Sequence, residues 1–238
     1  MLDVHPPHHS TNTWRDFFIH IATICVGLLI AIGLEQTVEA IHRAHERRVL
    51  QKALVRESEQ ILRDSTNVDT GETVRLKWLR LYESQVSDAV RDHRPLPPPS
   101  PRPAIVVWYT PDDPIYTAAK SSGKLDLLSD EDVVAYGELA GLIDHVLKHY
   151  ELYGTARTAL DTATRRISFS KPPGNSPFDH ATPDDMKNLY DKLVEYEQAV
   201  QTFRYWARQA RGAAIAMLHG ERDLARINAS ERQFDNLP

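Results

Sequence analysis

The stretch FFIHIATICVGLLIAIGLEQTVEAIHRAHERR, residues 17–48, is almost free of charge in its first half and rich in charge in its second. From Phe17 to Leu34 only His20, Thr23 and Cys25 interrupt the apolar run, and at about 1.5 Å per residue a helix of that length spans roughly 27 Å, close to a bilayer's hydrocarbon core. Trp14 and Arg15 precede the run, where a ring and a cation favour the headgroup layer, and Glu35 closes it. A cleaved signal peptide is the rival reading, because Ala31-Ile32-Gly33 resembles a small-x-small cleavage site. Against it, the first fifteen residues hold one basic side chain, the run exceeds a usual signal core, and the helical pattern continues through Val38, Ile41 and Ala44. A buried core helix is disfavoured too, since such a helix is seldom apolar on every face. Residues 14–35 are therefore expected to be a single transmembrane helix behind a tail of residues 1–13.

Within that helix Thr23, Gly27 and Ala31 recur every four residues, a ridge of the small-xxx-small kind that lets membrane helices approach closely. His20 lies one turn inside, near enough to the interface to snorkel. Orientation is contested by the charges. Arg43, Arg47, Arg48 and Lys52 after the run outnumber Arg15 and the amino terminus before it, which places the large domain in the cytoplasm. The eight residues directly after the run, however, hold Glu35 and Glu39 and no base, and long domains translocate despite flanking charge.

The chain of 238 residues has room for one sizeable domain besides this anchor, and its net charge of -5 argues against a nucleic-acid partner. Cys25 is the only cysteine, which excludes a disulfide, a thiolate metal site and a thiol nucleophile from the rest of the chain.

Beyond Glu35 the composition stays helix-forming to about Asp64, giving a stalk helix over 36–66 whose residues 42–48 are polar apart from Ala44, with packing resuming at Leu50, Leu54, Ile61 and Leu62. STNVDTG, residues 65–71, reads as a turn, and a second helix over 67–92 carries Val74, Trp78, Leu81, Val86 and Ala89. HRPLPPPSPRP, residues 93–103, opens a Pro-rich linker over 93–112, read as a polyproline II spacer in preference to a recognition ligand.

A helical hairpin is expected over 113–228, with a tail over 229–238. Asp113 and Pro114 start a short helix ending at Gly123, and Ser129 with Asp132 resembles a capping box opening a longer one. There Tyr136, Leu139, Ile143, Val146, Tyr150, Tyr153, Leu160 and Ile167 follow three-four spacing, broken by Arg157 and Thr164. After the loop SFSKPPGNSPFDHA, Thr182-Pro183-Asp184-Asp185 starts the last helix, expected over 183–227. Met186, Leu189, Leu193, Tyr196, Val200, Phe203, Ala207, Ala210, Ala214 and Met217 form its seam, which is a packing surface first. Folding the two long helices on each other sets Gly137, Ala140 and Gly141 opposite Ala207, Ala210 and Ala214. Close backbone approach is expected there unless a third helix or a ligand fills the gap. The fold class is thus all-α: a transmembrane helix, a stalk, then a bundle with a long antiparallel C-terminal hairpin.

WRDFFIHIATICVGLLIAIGLEQTVEAIHRAHERR near the start and TAAKSSGKLDLLSDEDV at 117–133 resemble segments of uncharacterised bacterial single-pass inner-membrane proteins. The resemblance covers about a quarter of the chain and carries no catalytic signature. It implies an anchor plus a helical domain, favours the periplasmic side, and transfers no activity.

Histidines supply the only site-like constellation. His5, His8 and His9 share a Pro-containing tail, His42 and His45 lie one turn apart, and His145 and His149 have the i, i+4 spacing of paired metal ligands. None has a carboxylate or cysteine at ligand spacing, so exposed helix histidines are the favoured reading, with no cofactor, metal or catalytic residue expected. Asn228-Ala229-Ser230 fits a glycosylation acceptor that matters only in a eukaryotic secretory setting. The expected function is that of a non-enzymatic assembly protein, whose partners are the lipid bilayer, further copies of itself and other membrane proteins. The alternative is a tethered sensory or ligand-binding domain with a separate output partner.

Overall fold

The computed structural model describes residues 14–103, 111–169 and 177–233. The amino-terminal tail with His5, His8 and His9, the stretch 104–110, the Pro and Gly loop 170–176 and residues 234–238 lie outside them. Five α-helices make up the described chain: α1 (Trp14–Arg91), α2 (Pro114–Ser121), α3 (Asp130–Phe169), α4 (Pro183–Leu218) and α5 (Leu224–Arg232). Two 3-10 turns, Lys124–Leu127 and Pro177–His180, complete them, and no strand occurs among the described residues. The chain is all-helical, as its composition indicates, and its first helix is long and apolar enough to cross a membrane.

Two compact units divide the chain, Met1–Val49 and Leu50–Pro238. In the first, the described side chains are exposed apart from the half-buried Glu46. Trp14, Phe17 and Phe18 pack on one another at its start, with ring centroids 5.7 to 5.9 Å apart.

The second unit begins inside α1, and here a reading of the sequence is overturned. STNVDTG does not turn; α1 runs through it without a break. Ser65, Val68 and Glu72 are buried at positions that continue the seam from Leu54 and Ile61 toward Leu79 and Tyr82, so packing outweighs the turn preference of the local residues. Thr66, Thr70 and Thr73 satisfy their hydroxyls on the carbonyls of Leu62, Thr66 and Asp69, at 2.7, 2.9 and 2.7 Å, which removes the pull those side chains exert toward a turn.

Three helical segments share the core. Along α3 and α4, His145 meets Trp206, Tyr150 meets Phe203, Tyr153 meets Tyr196 and Arg166 meets Asp185, so residue numbers rise on one helix as they fall on the other. The second half of α1 meets α4 in the same opposed sense, through Asp69 with Arg204 and Arg80 with Glu197. It meets α3 in the like sense, through Gln51 with Asp132 and Arg75 with Tyr153. Part of the connection between α1 and α3 is built into the core. Leu96 is only 2% exposed, and the Trp78 Nε1–H donates to the Ser100 carbonyl at 3.1 Å. Arg102 lies over the Trp78 ring at 5.4 Å and bonds Asp161 at 2.7 Å. Residues 94–103, within the expected polyproline II spacer, form a strap docked on the core.

Helix ends follow their local chemistry. Thr182 and Asp185 form a reciprocal capping box at α4, with Pro183 in the first turn. At α3 the Ser129 hydroxyl accepts from Asp132 N at 3.2 Å, but the Asp132 carboxylate turns instead to Arg222 at 2.6 Å. The last helix ends at Leu218 rather than 227. Gly220 takes φ of 83°, and the Asp223 side chain caps α5 by accepting from Ala225 and Arg226. This break lets α5 fold onto α4 at Gly212, where an added Cβ would stand 2.7 Å from the Glu231 Cα. The closest approach thus falls at Gly212. An added Cβ at Gly141 meets nothing within 4 Å, and one at Gly137 meets the Tyr116 hydroxyl at 3.2 Å. At Gly137 the neighbour is thus Tyr116 of α2, while Gly141 is exposed.

Candidate functional site

The ridge residues Thr23, Gly27 and Ala31 are all exposed. The Thr23 hydroxyl donates to the Ile19 carbonyl at 2.8 Å, so its polar atom is satisfied within the helix, and an added Cβ on Gly27 would meet nothing within 4 Å. Around them Ile24, Leu28, Leu29, Ile30 and Leu34 are each exposed by more than half. An apolar surface of this extent is one that water does not tolerate uncovered.

The seam residues have the opposite fate. Leu189, Leu193, Val200, Phe203, Ala207, Ala210 and Ala214 are fully buried, packed against α3 and the second half of α1. Their packing capacity is spent within one chain.

Between the apolar layers lies a polar one that sequence reading missed. The two oxygens of the Asp69 carboxylate accept from Arg204 and Arg208 at 2.7 Å and from Arg211 at 3.1 Å. These arginines hold the carboxyl below its ordinary range against the opposing effect of burial. One turn on, Glu72 and Arg75 pair at 2.7 Å with side chains 1% and 5% exposed, and burial pushes the Glu72 carboxyl up despite that partner. Above them the Tyr196 hydroxyl donates to the Tyr153 hydroxyl at 3.1 Å, and burial raises both phenols so that they stay protonated. A signal existed for part of this: Arg204, Arg208 and Arg211 repeat at four and three residues along one flank of α4. Their partner Asp69 was hidden inside the supposed turn.

A second polar joint sits at the start of α2. Asp113 makes no side-chain cap there, and the cap comes from a distance: Glu57 on α1 accepts from the backbone N–H groups of Ile115 and Tyr116. Burial, opposed by those two bonds and assisted by Asp113 and Asp112, pushes its carboxyl up to about 7.

The histidine pairs resolve differently. His145 and His149 both stack on Trp206, at 4.2 and 6.0 Å, while His42 lies 3.7 Å from Glu46. Among the described residues no three His, Cys, Asp or Glu side chains converge as a metal would require.

Two hollows remain. An open groove of about 900 Å³ runs along Gly154, Thr158, Ala159 and Thr162 of α3 beside Asn188 and Lys192 of α4. A smaller one of about 320 Å³ lies beneath the Pro-rich strap, between Trp78, Tyr82, Arg102, Leu160 and Thr164. The buried Tyr82 hydroxyl has no hydrogen-bond partner. The chain matches no protein-family model, no curated protein and no solved structure.

Proposed function

We propose that the protein is a membrane-anchored assembly protein without catalytic activity, held in a bacterial inner membrane by residues 14–35 with its helical domain in the periplasm, and self-associating. The observation that carries this reading is the division of its apolar surface. The bundle seam is filled from within the chain, whereas the first helix offers apolar residues to lipid and to other helices. The α3 and α4 segments act as a rigid antiparallel hairpin, to which the half-buried Asp69 carboxylate ties the second half of α1 through Arg204, and the ridge Thr23, Gly27 and Ala31 is the contact between copies. The mass of the detergent-solubilised particle tests it: two or more chains are expected, and a monomer lacking any copurifying protein would refute it.

The hollow beneath the strap favours a second reading, a tethered sensor. A buried, protonated and unpartnered Tyr82 hydroxyl beside the Trp78 ring suits a small apolar ligand bearing an acceptor oxygen. Mass spectrometry of the purified chain discriminates the two, since a retained small molecule lost in Tyr82→Phe supports sensing.

A further inference from the structure

We infer that the contact between copies does not stop at the membrane: a second copy of this chain, running parallel, packs along the stalk face formed by Leu34, Val38, Ile41, His45 and Val49. This rests on the self-association proposed above and extends it past the membrane segment, beyond Glu35, to a stretch that lipid does not cover. At roughly 100° per residue, these five residues and the ridge residues Thr23, Gly27 and Ala31 all lie within about 40° of one line along the helix. The spacing from Gly27 is four, three, four, three, four and four, the seam pattern of a coiled coil. Leu34, at the end of the membrane segment, is 65% exposed, and Val38, Ile41 and Val49 beyond it are 60%, 66% and 54% exposed, so an aqueous helix gains by covering these three.

Charge is sorted to match. Glu39, Arg43, Glu46 and Arg47 all lie roughly 100° or more from that line. Glu39 and Arg43 are paired with each other, and Glu46 stands beside His42. Only His45 interrupts the seam, as single polar residues do where they specify register. The next positions in register are the exposed Lys52, Arg56, Glu59 and Arg63, which end the apolar line at Val49.

The occupant is a second copy because the line is apolar along its own axis and so complements itself, with Arg48 and His42 flanking it roughly 60° to either side. Copies anchored by the same helix enter the stalk in the same direction, which makes a parallel seam the natural pairing. A separate protein would need a matching helix of its own.

Cysteine cross-linking of the full chain tests this. With Cys25→Ser removing the only cysteine, single cysteines are introduced as Val38→Cys, Ile41→Cys, Glu39→Cys and Arg43→Cys, and native membranes are oxidised before denaturing electrophoresis. Covalent dimers are expected in several-fold higher yield at 38 and 41 than at 39 and 43. Equal yields at all four sites, or none at 38 and 41, would overturn the seam. A covalent adduct of different mass at 38 and 41 would overturn the choice of a second copy. The particle mass separates the two levels: a dimer without phased cross-links defeats this inference alone, whereas a monomer defeats the self-association beneath it.

Discussion

Glu57 couples a remote helix terminus to pH. Its carboxyl is raised in the folded chain from about 4.5 to about 7, chiefly by burial. A carboxyl raised on folding binds its proton more tightly in the native state. Its contribution is thus fully present below about 4.5 and is lost as pH rises through about 7. Urea unfolding of the native chain and of Glu57→Gln should show the stability difference shifting against the native chain across that window. A difference independent of pH would contradict the burial that raises the group. At Phe203, fully buried between Tyr150 and Tyr153, replacement by Ala should cost about 3 to 5 kcal/mol. Lys187→Ala, on an exposed side chain paired only with Asp191, should cost less than about 0.5 kcal/mol. Equal small losses at both sites in the same denaturation measurement would mean the ring carries no core packing.

Elements were legible where periodicity and capping agree. Met186 to Met217 keeps a three-four seam without a contrary signal, and Thr182 with Asp185 marks its start through a capping box that forms in full. Residues 65–71 were illegible for the converse reason. Their Ser, Thr, Asn, Asp and Gly side chains favour a turn locally, and only the tertiary burial of Ser65, Val68 and Glu72 holds them helical. The docked strap was hidden because a Pro-rich string looks alike whether or not a Trp78 lies beneath it to receive Ser100 and Arg102. Of the candidate sites, the ridge could be named from the residues of one helix, while the Asp69 layer needed arginines brought from α4. The α4 to α5 joint gives a test at this scale. Gly212→Ala drives a methyl against the backbone of Ser230 and Glu231, 2.9 Å or less away, and should destabilise by about 1 to 3 kcal/mol. Gly154→Ala meets nothing within 4 Å inside a helix and should stabilise by about 0.5 to 1 kcal/mol. Calorimetry showing the same sign for both would remove the close approach of α5 as the reason for a glycine at 212.

For the whole molecule the deciding question is what the first helix meets. In lipid an apolar side chain gains little by exchanging one hydrocarbon neighbour for another, so association there depends on how closely backbones approach. Gly27 is the one position of the ridge with no side chain, and it is open on every side within 4 Å. A branched side chain there would hold a neighbouring helix away, whereas Leu28 lies roughly 100° round the helix and faces elsewhere. Gly27→Ile should therefore shift the detergent-solubilised particle toward the monomer, as read by light scattering, while Leu28→Ile should leave it unchanged. The stalk seam sharpens that outcome. If Leu34, Val38 and Ile41 also bind the partner copy, Gly27→Ile alone should leave a residual dimer that dissociates on dilution, and only its combination with Ile41→Glu should yield monomer throughout. A particle unaltered by the double variant would transfer the association to the helices beyond Leu50 and leave the anchor as an attachment to lipid alone.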